Sequence, residues 1–141
     1  MKYMFILLFS ITSLFANEAT DLADKLHYLK SYDKALQVSQ KEQKLLMLII
    51  VENGCHWCKK LARTTLGDSA VQQKLKAIVK VIIDKDDQAG LKYEPHFFPM
   101  IYFINPNTKQ VVDIAYGYQK TNGFLIHIQK ANKQYKKESL K

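Results

Sequence analysis

Cysteine is scarce in this chain: two residues among 141, Cys55 and Cys58, both in a single C-x-x-C. That scarcity excludes a disulfide-stapled mini-protein, in which bridges join distant segments and gain from closing long loops. A bridge across two intervening residues constrains little chain, so this pair is not there to hold a fold together. A four-thiolate zinc site is excluded too, because no second pair exists. So is haem attachment, since Lys59 stands where a histidine must follow the second cysteine. Five glycines and three prolines are too few for a fibrous or low-complexity chain, and no repeat or long linker is visible. No phosphate loop or Ser/His/Asp set stands out.

What is present fits one domain. The length suits a single core, and 48% hydrophobic content can fill it. Residues 1–16 read as a secretory signal: Lys2 is the positive start, Tyr3 to Phe9 opens the apolar stretch, and Ala16 offers a small residue for cleavage. Ser10, Thr12 and Ser13 break the apolar run, leaving it short for a membrane span. A retained anchor is the alternative. No cysteine lies near Ala16, so a lipoprotein anchor is not indicated. The expectation is a signal peptide over 1–16, cleaved after Ala16, and an exported periplasmic domain over 17–141. The net charge of +8 raises nucleic acid or an acidic membrane surface as partners. Yet the lysines are scattered, with the densest group (Lys130, Lys133, Lys136, Lys137, Lys141) at the C-terminus. A solvated helix face accounts for that, and no nucleic-acid partner is expected.

Hydrophobic spacing gives the element order. Asp21 to Gln40 has a helical apolar face, with a break near Ser31-Tyr32-Asp33. Leu45 to Val51 is an unbroken apolar run, the pattern of a strand covered on both faces. His56 to about Lys76 turns helical, broken at Gly67-Asp68-Ser69, where Asp68 or Ser69 caps a second helix. Ile78 to Ile83 is another buried-type strand, and Gln88 to Tyr93 a short helix. Pro99 opens the strand Met100–Ile104. Asn105-Pro106-Asn107-Thr108 is a turn, Val111 to Ala115 returns, Gly117 ends that strand, and Phe124, Leu125, Ile128 and Ala131 mark a last helix. Helices between the early strands imply parallel crossovers, and the hairpin adds antiparallel strands. The fold class is α/β: a mixed central sheet with helices on both faces.

The C-x-x-C falls where a buried strand ends and a helix begins. The first N–H groups of a helix lack internal partners, and its dipole there favours negative charge. Cys55 is therefore expected as the thiolate nucleophile, its pKa lowered from about 8.5. Cys58, one turn further in, is expected to be more buried and to resolve the mixed disulfide. A charged His56 would stabilise that thiolate; otherwise it only faces solvent. Trp57 either covers the disulfide and touches substrate or caps the edge of the core.

The segments Asp33–Leu36, Lys41–Leu46, Gly54–Leu61 and Val79–Asp84, with Phe98-Pro99 and Gly117, resemble the thioredoxin superfamily. The resemblance is especially to exported thioredoxin-like members and to the C-terminal domain of the thiol:disulfide interchange protein that carries electrons across the inner membrane. The resemblance spans nearly all of 17–141. It implies a thioredoxin-like three-layer sandwich and dithiol–disulfide exchange on protein substrates, with no metal or organic cofactor. It further implies an inner-membrane electron donor and a cis-proline at Pro99, with Phe98 shaping the substrate groove. An ordinary trans proline at a strand start is the plain alternative. Many members carry a buried acid six positions before the first cysteine. Here Ile49 stands there, Glu52 is the candidate substitute, and Lys80 lacks its usual acidic partner. The resemblance favours a reductase over an oxidase or isomerase. Two rival readings use the same residues: a copper carrier holding the metal with Cys55, Cys58 and His96, and an adaptor that only grips partners beside Pro99. His27 and His127 read as surface residues, and Phe97, Tyr102 and Phe103 as packing.

Overall fold

Seven consecutive apolar residues form β1, Leu45–Val51, and all seven are buried. Alternate side chains of a strand point to opposite faces, so such a run is stable only if both faces are covered. The structure is a computed structural model that describes residues 17–140; the expected signal segment lies outside the described residues. Around β1 the sheet has the order β2-β1-β3-β4, with β2 Ile78–Asp84, β3 Met100–Ile104 and β4 Val111–Tyr116. β1 and β2 are parallel, and the β1–β3 and β3–β4 pairs are antiparallel. This is the mixed sheet the pattern called for.

One face of the sheet (Met47, Ile49, Ile82, Ile101, Phe103) packs against α1 Glu18–Leu26, α3 His56–Lys60, α4 Ser69–Leu75 and α6 Thr121–Ser139. The other face (Leu46, Leu48, Ile50, Val81, Tyr102) lies under α2 Tyr32–Glu42 and α5 Gln88–Lys92. The result is a three-layer sandwich. Each Leu or Ile side chain so removed from water contributes roughly 1.5–3 kcal/mol.

Two local features differ from the spacing-based expectation. The first helical segment breaks at 27–31, earlier than expected, and Tyr32 already belongs to α2. His27 takes a left-handed conformation (φ 57°), and the Ser31 side chain accepts from Lys34 N–H at 3.4 Å to start α2. Between them Leu29 pairs in parallel with Val81 of β2. The second difference follows α3. The chain continues as a π turn, Leu61–Thr65, in which Leu66 N–H donates to Leu61 C=O at 2.9 Å. Asp68 then caps α4 by accepting from Ala70 and Val71 N–H. No helix among the described residues is long and apolar enough to cross a membrane.

Candidate active site

β1 delivers the chain to one end of the sheet, and three residues, Glu52, Asn53 and Gly54, turn it into α3. Gly54 has φ +77°, a left-handed backbone that glycine adopts without a steric cost. The next residue, Cys55, is the N-cap of α3: its Sγ accepts from Cys58 N–H at 3.1 Å, and its C=O accepts from Lys59 N–H. The two sulfurs are bonded to each other, with Cα atoms 5.3 Å apart, so the pair stands in its oxidised form. Cys55 retains 7% of its surface and Cys58 1%, so Cys55 is the less buried of the two. The N–H already aimed at the Cys55 sulfur would also favour negative charge there once the bridge opens.

The residues between the cysteines point outward. His56 is exposed and meets the Trp57 ring edge-on, with centroids 5.3 Å apart. Trp57 is 49% exposed and lies 5.6 Å from the Tyr118 ring, so it belongs to the surface beside the disulfide and does not cap the core. Lys60 Nζ stands 4.9 Å from the Trp57 centroid and 5.0 Å from that of Tyr118. The Thr64 hydroxyl, 3.2 Å away, then Thr65 and the charges of Lys60 and Lys120, hold the Tyr118 hydroxyl below the usual tyrosine value. The Phe98–Pro99 bond is cis, Pro99 is buried, and Pro99 C=O accepts from Gly117 N–H at 2.9 Å. Trp57, Phe97, Phe98, Tyr116, Gly117 and Tyr118 line an open groove of about 560 Å³. Phe97, read from sequence as packing, is 62% exposed on that groove; Tyr102 and Phe103 are buried.

Other candidates fall elsewhere. His96 is exposed, and among the described residues no group of three or more His, Cys, Asp or Glu is arranged to hold a metal. Glu52 is half-buried at the strand end. Lys80 is held by Leu75 C=O at 3.2 Å and lies 5.7 Å from the Tyr28 ring centroid. Burial, then the charge of Lys44, lowers its pKa. His27 is exposed, but His127 is half-buried, with Nδ1 2.5 Å from Asp113 on β4. Its helix packs that face against the strand, so it is not a free surface residue.

The acid that does reach the cysteine turn is one the sequence did not reveal. Glu18, in the first turn of α1, is buried; its Oε2 accepts from Gly54 N–H at 2.8 Å and lies 3.5 Å from Lys59 Nζ. In return, Glu18 N–H donates to Asn53 Oδ1 at 3.1 Å. The contact joins residues 36 apart, and nothing in local spacing signals it.

A thioredoxin-like family profile matches residues 27–106, more than half of the chain. The chain belongs to the thioredoxin-like family. Its fold is similar to that of a thioredoxin from Thermus thermophilus, with 20% identity over 74% of this chain and 86% of that one, TM-score 0.64. It is also similar to a DsbH oxidoreductase, with 18% identity over 74% and 83%, TM-score 0.58. A third is the oxidised C-terminal domain of DsbD from Neisseria meningitidis, with 18% identity over 76% and 98%, TM-score 0.56. No curated protein sequence matches the chain. Family membership and a disulfide closed across the C-x-x-C together support thiol–disulfide oxidoreductase activity.

Proposed function

We propose that this protein is an exported reductase of protein disulfides, working in the periplasm after cleavage behind Ala16. Cys55 is the nucleophile and Cys58 the resolving thiol. The observation that carries this reading is the asymmetry of the pair: Cys55 is the N-cap and the more open sulfur, and Cys58 lies almost fully buried one turn inside. In the reduced protein the Cys55 thiolate attacks one sulfur of a substrate disulfide. A mixed disulfide forms, and the leaving substrate thiolate takes up a proton. Cys58, as thiolate, then attacks the Cys55 sulfur, closes the Cys55–Cys58 bridge and releases the second substrate thiolate. Two electrons have passed to the substrate, and a dithiol donor at the inner membrane returns them. Phe98 and Pro99, with Trp57 and Tyr118, form the wall against which the substrate segment lies. The aromatic rings supply apolar contact at little cost in side-chain entropy.

Insulin reduction with a dithiol regenerant tests the assignment. Cys55→Ser is expected to abolish turnover. Cys58→Ser is expected to retain a first attack and accumulate a mixed disulfide visible by mass. Trapping by the Cys55→Ser protein instead would reverse the two roles. An unchanged activity in both would end the reading.

A further inference from the structure

Beside the cysteine turn, α1, α3 and the π turn line a cleft of about 680 Å³ whose buried wall includes Glu18 and which shares no lining residue with the aromatic groove. The Glu18 side chain is 9% exposed. Its Oε2 is taken by Gly54 N–H, and its Oε1 has no hydrogen-bond partner among the described residues. A buried carboxylate with an idle oxygen is costly in a fold held only for stability, and such groups call for a functional explanation. Glu18 also spends a backbone donor of the turn that immediately precedes Cys55. The charges around it are Asp21 and Lys25 on α1, Lys59 on α3 and Arg63 on the π turn, with Glu52 and His56 flanking the turn in sequence. Asp21, Lys25 and Arg63 are exposed, and the Lys59 side chain is 62% exposed, so solvent screens them more than it screens the buried carboxylate.

We propose that Glu18 is a positioning residue of the Cys55–Cys58 couple: it anchors Gly54, and its negative charge opposes the thiolate, holding the couple at a more reducing potential. The proposal rests on the redox reading above. The physical basis is Coulombic. Opening the bridge creates an anionic sulfur next to the residue that the carboxylate grips, and two like charges in a poorly screened region destabilise each other. The reduced form is disfavoured relative to a neutral neighbour, and electrons are given up more readily.

The test is Glu18→Gln, which keeps an oxygen for Gly54 N–H and removes the charge. The rate of Cys55 alkylation against pH and the equilibrium with glutathione are measured in the whole protein. Asp24→Asn, at an exposed acid of the same helix paired with Lys30, is the charge control. In Glu18→Gln the thiolate is expected to form at lower pH. The glutathione equilibrium is expected to move about tenfold toward the dithiol, which converts to about 30 mV. Asp24→Asn should leave both unchanged. Coincident curves for Glu18→Gln and the parent overturn the proposal, as does an equal shift in the control. Glu18→Ala, judged by melting temperature as well, separates anchoring from charge: a loss of stability that Gln restores, with no change in the alkylation profile, reduces Glu18 to a structural clamp and also overturns it. Failure of the redox reading shows differently, as a parent protein that forms the dithiol but turns over no disulfide.

Discussion

Reducing the Cys55–Cys58 bridge should change the stability of the folded chain by a small amount whose pH dependence reports the state of Cys55. The bridge closes a loop with a sequence separation of 3. Loop-closure entropy for so short a ring stabilises the oxidised protein by about 2 kcal/mol, against about 4.7 for a hundred-residue loop. An opposite contribution arises once the bridge opens. If Cys58 N–H and the α3 N-terminus hold the thiol below its free value of about 8.5, the reduced fold gains ~1.4 kcal/mol per unit of that depression. The sign follows from proton counting: the folded thiol releases its proton at lower pH than the unfolded one. The gain is therefore complete above about pH 8.5 and lost as pH falls through the folded-state value. The gap between oxidised and reduced stability should be widest in acid and narrow toward alkaline pH. Urea denaturation of both forms, with and without dithiol, from about pH 5 to pH 9, measures it. A gap independent of pH would refute the claim that the helix start holds charge on Cys55. A gap far above 2 kcal/mol in acid would show that the bridge orders much more than its own turn.

Trp57→Ala removes a half-exposed wall of the groove and leaves both cysteines in place. It should raise KM for protein disulfides several-fold with glutathione exchange unchanged, and a parallel loss in both would move Trp57 from substrate contact to support of the disulfide. In alkali, burial keeps the Tyr28 hydroxyl far above its ordinary value, and burial with the Tyr32 hydroxyl does the same for Tyr93. Because the unfolded chain ionises first, stability should be intact below about pH 10 and fall above it. Tyrosinate absorbance should show a late step coincident with unfolding, and Tyr28→Phe should shift the onset upward; a smooth single titration without unfolding would contradict this.

The elements most legible in the sequence are those set by local chemistry. Leu45–Val51 could be read as a doubly covered strand because seven apolar residues in a row leave no polar face. The cysteine pair could be placed at a strand-to-helix junction because Asn53-Gly54 punctuates that run. Legibility fails where a contact is made between distant segments. Glu18 reads as an ordinary acidic residue near a helix start, and only the packing of α1 beside the turn gives it Gly54 as a partner. His127 is likewise plain until β4 presents Asp113 to it. The π turn at Leu61–Thr65 leaves no mark in the spacing within 56–76, which still looks helical. Phe97 misleads in the opposite direction, being an apolar residue left in water at the groove.

The single bridge at Leu29 has a consequence for how copies of the chain behave in a crowd. Leu29 N–H donates to Lys80 C=O and Leu29 C=O accepts from Ile82 N–H, occupying the middle of the outermost parallel strand. An unguarded rim of that composition is a template for another molecule's backbone, and native proteins blunt such rims. Here the β2 border is stoppered by a short loop, and on β4 at the opposite border Asp113 is hydrogen-bonded to His127 of α6. Sheet growth is thus obstructed at the β2 border without a further strand.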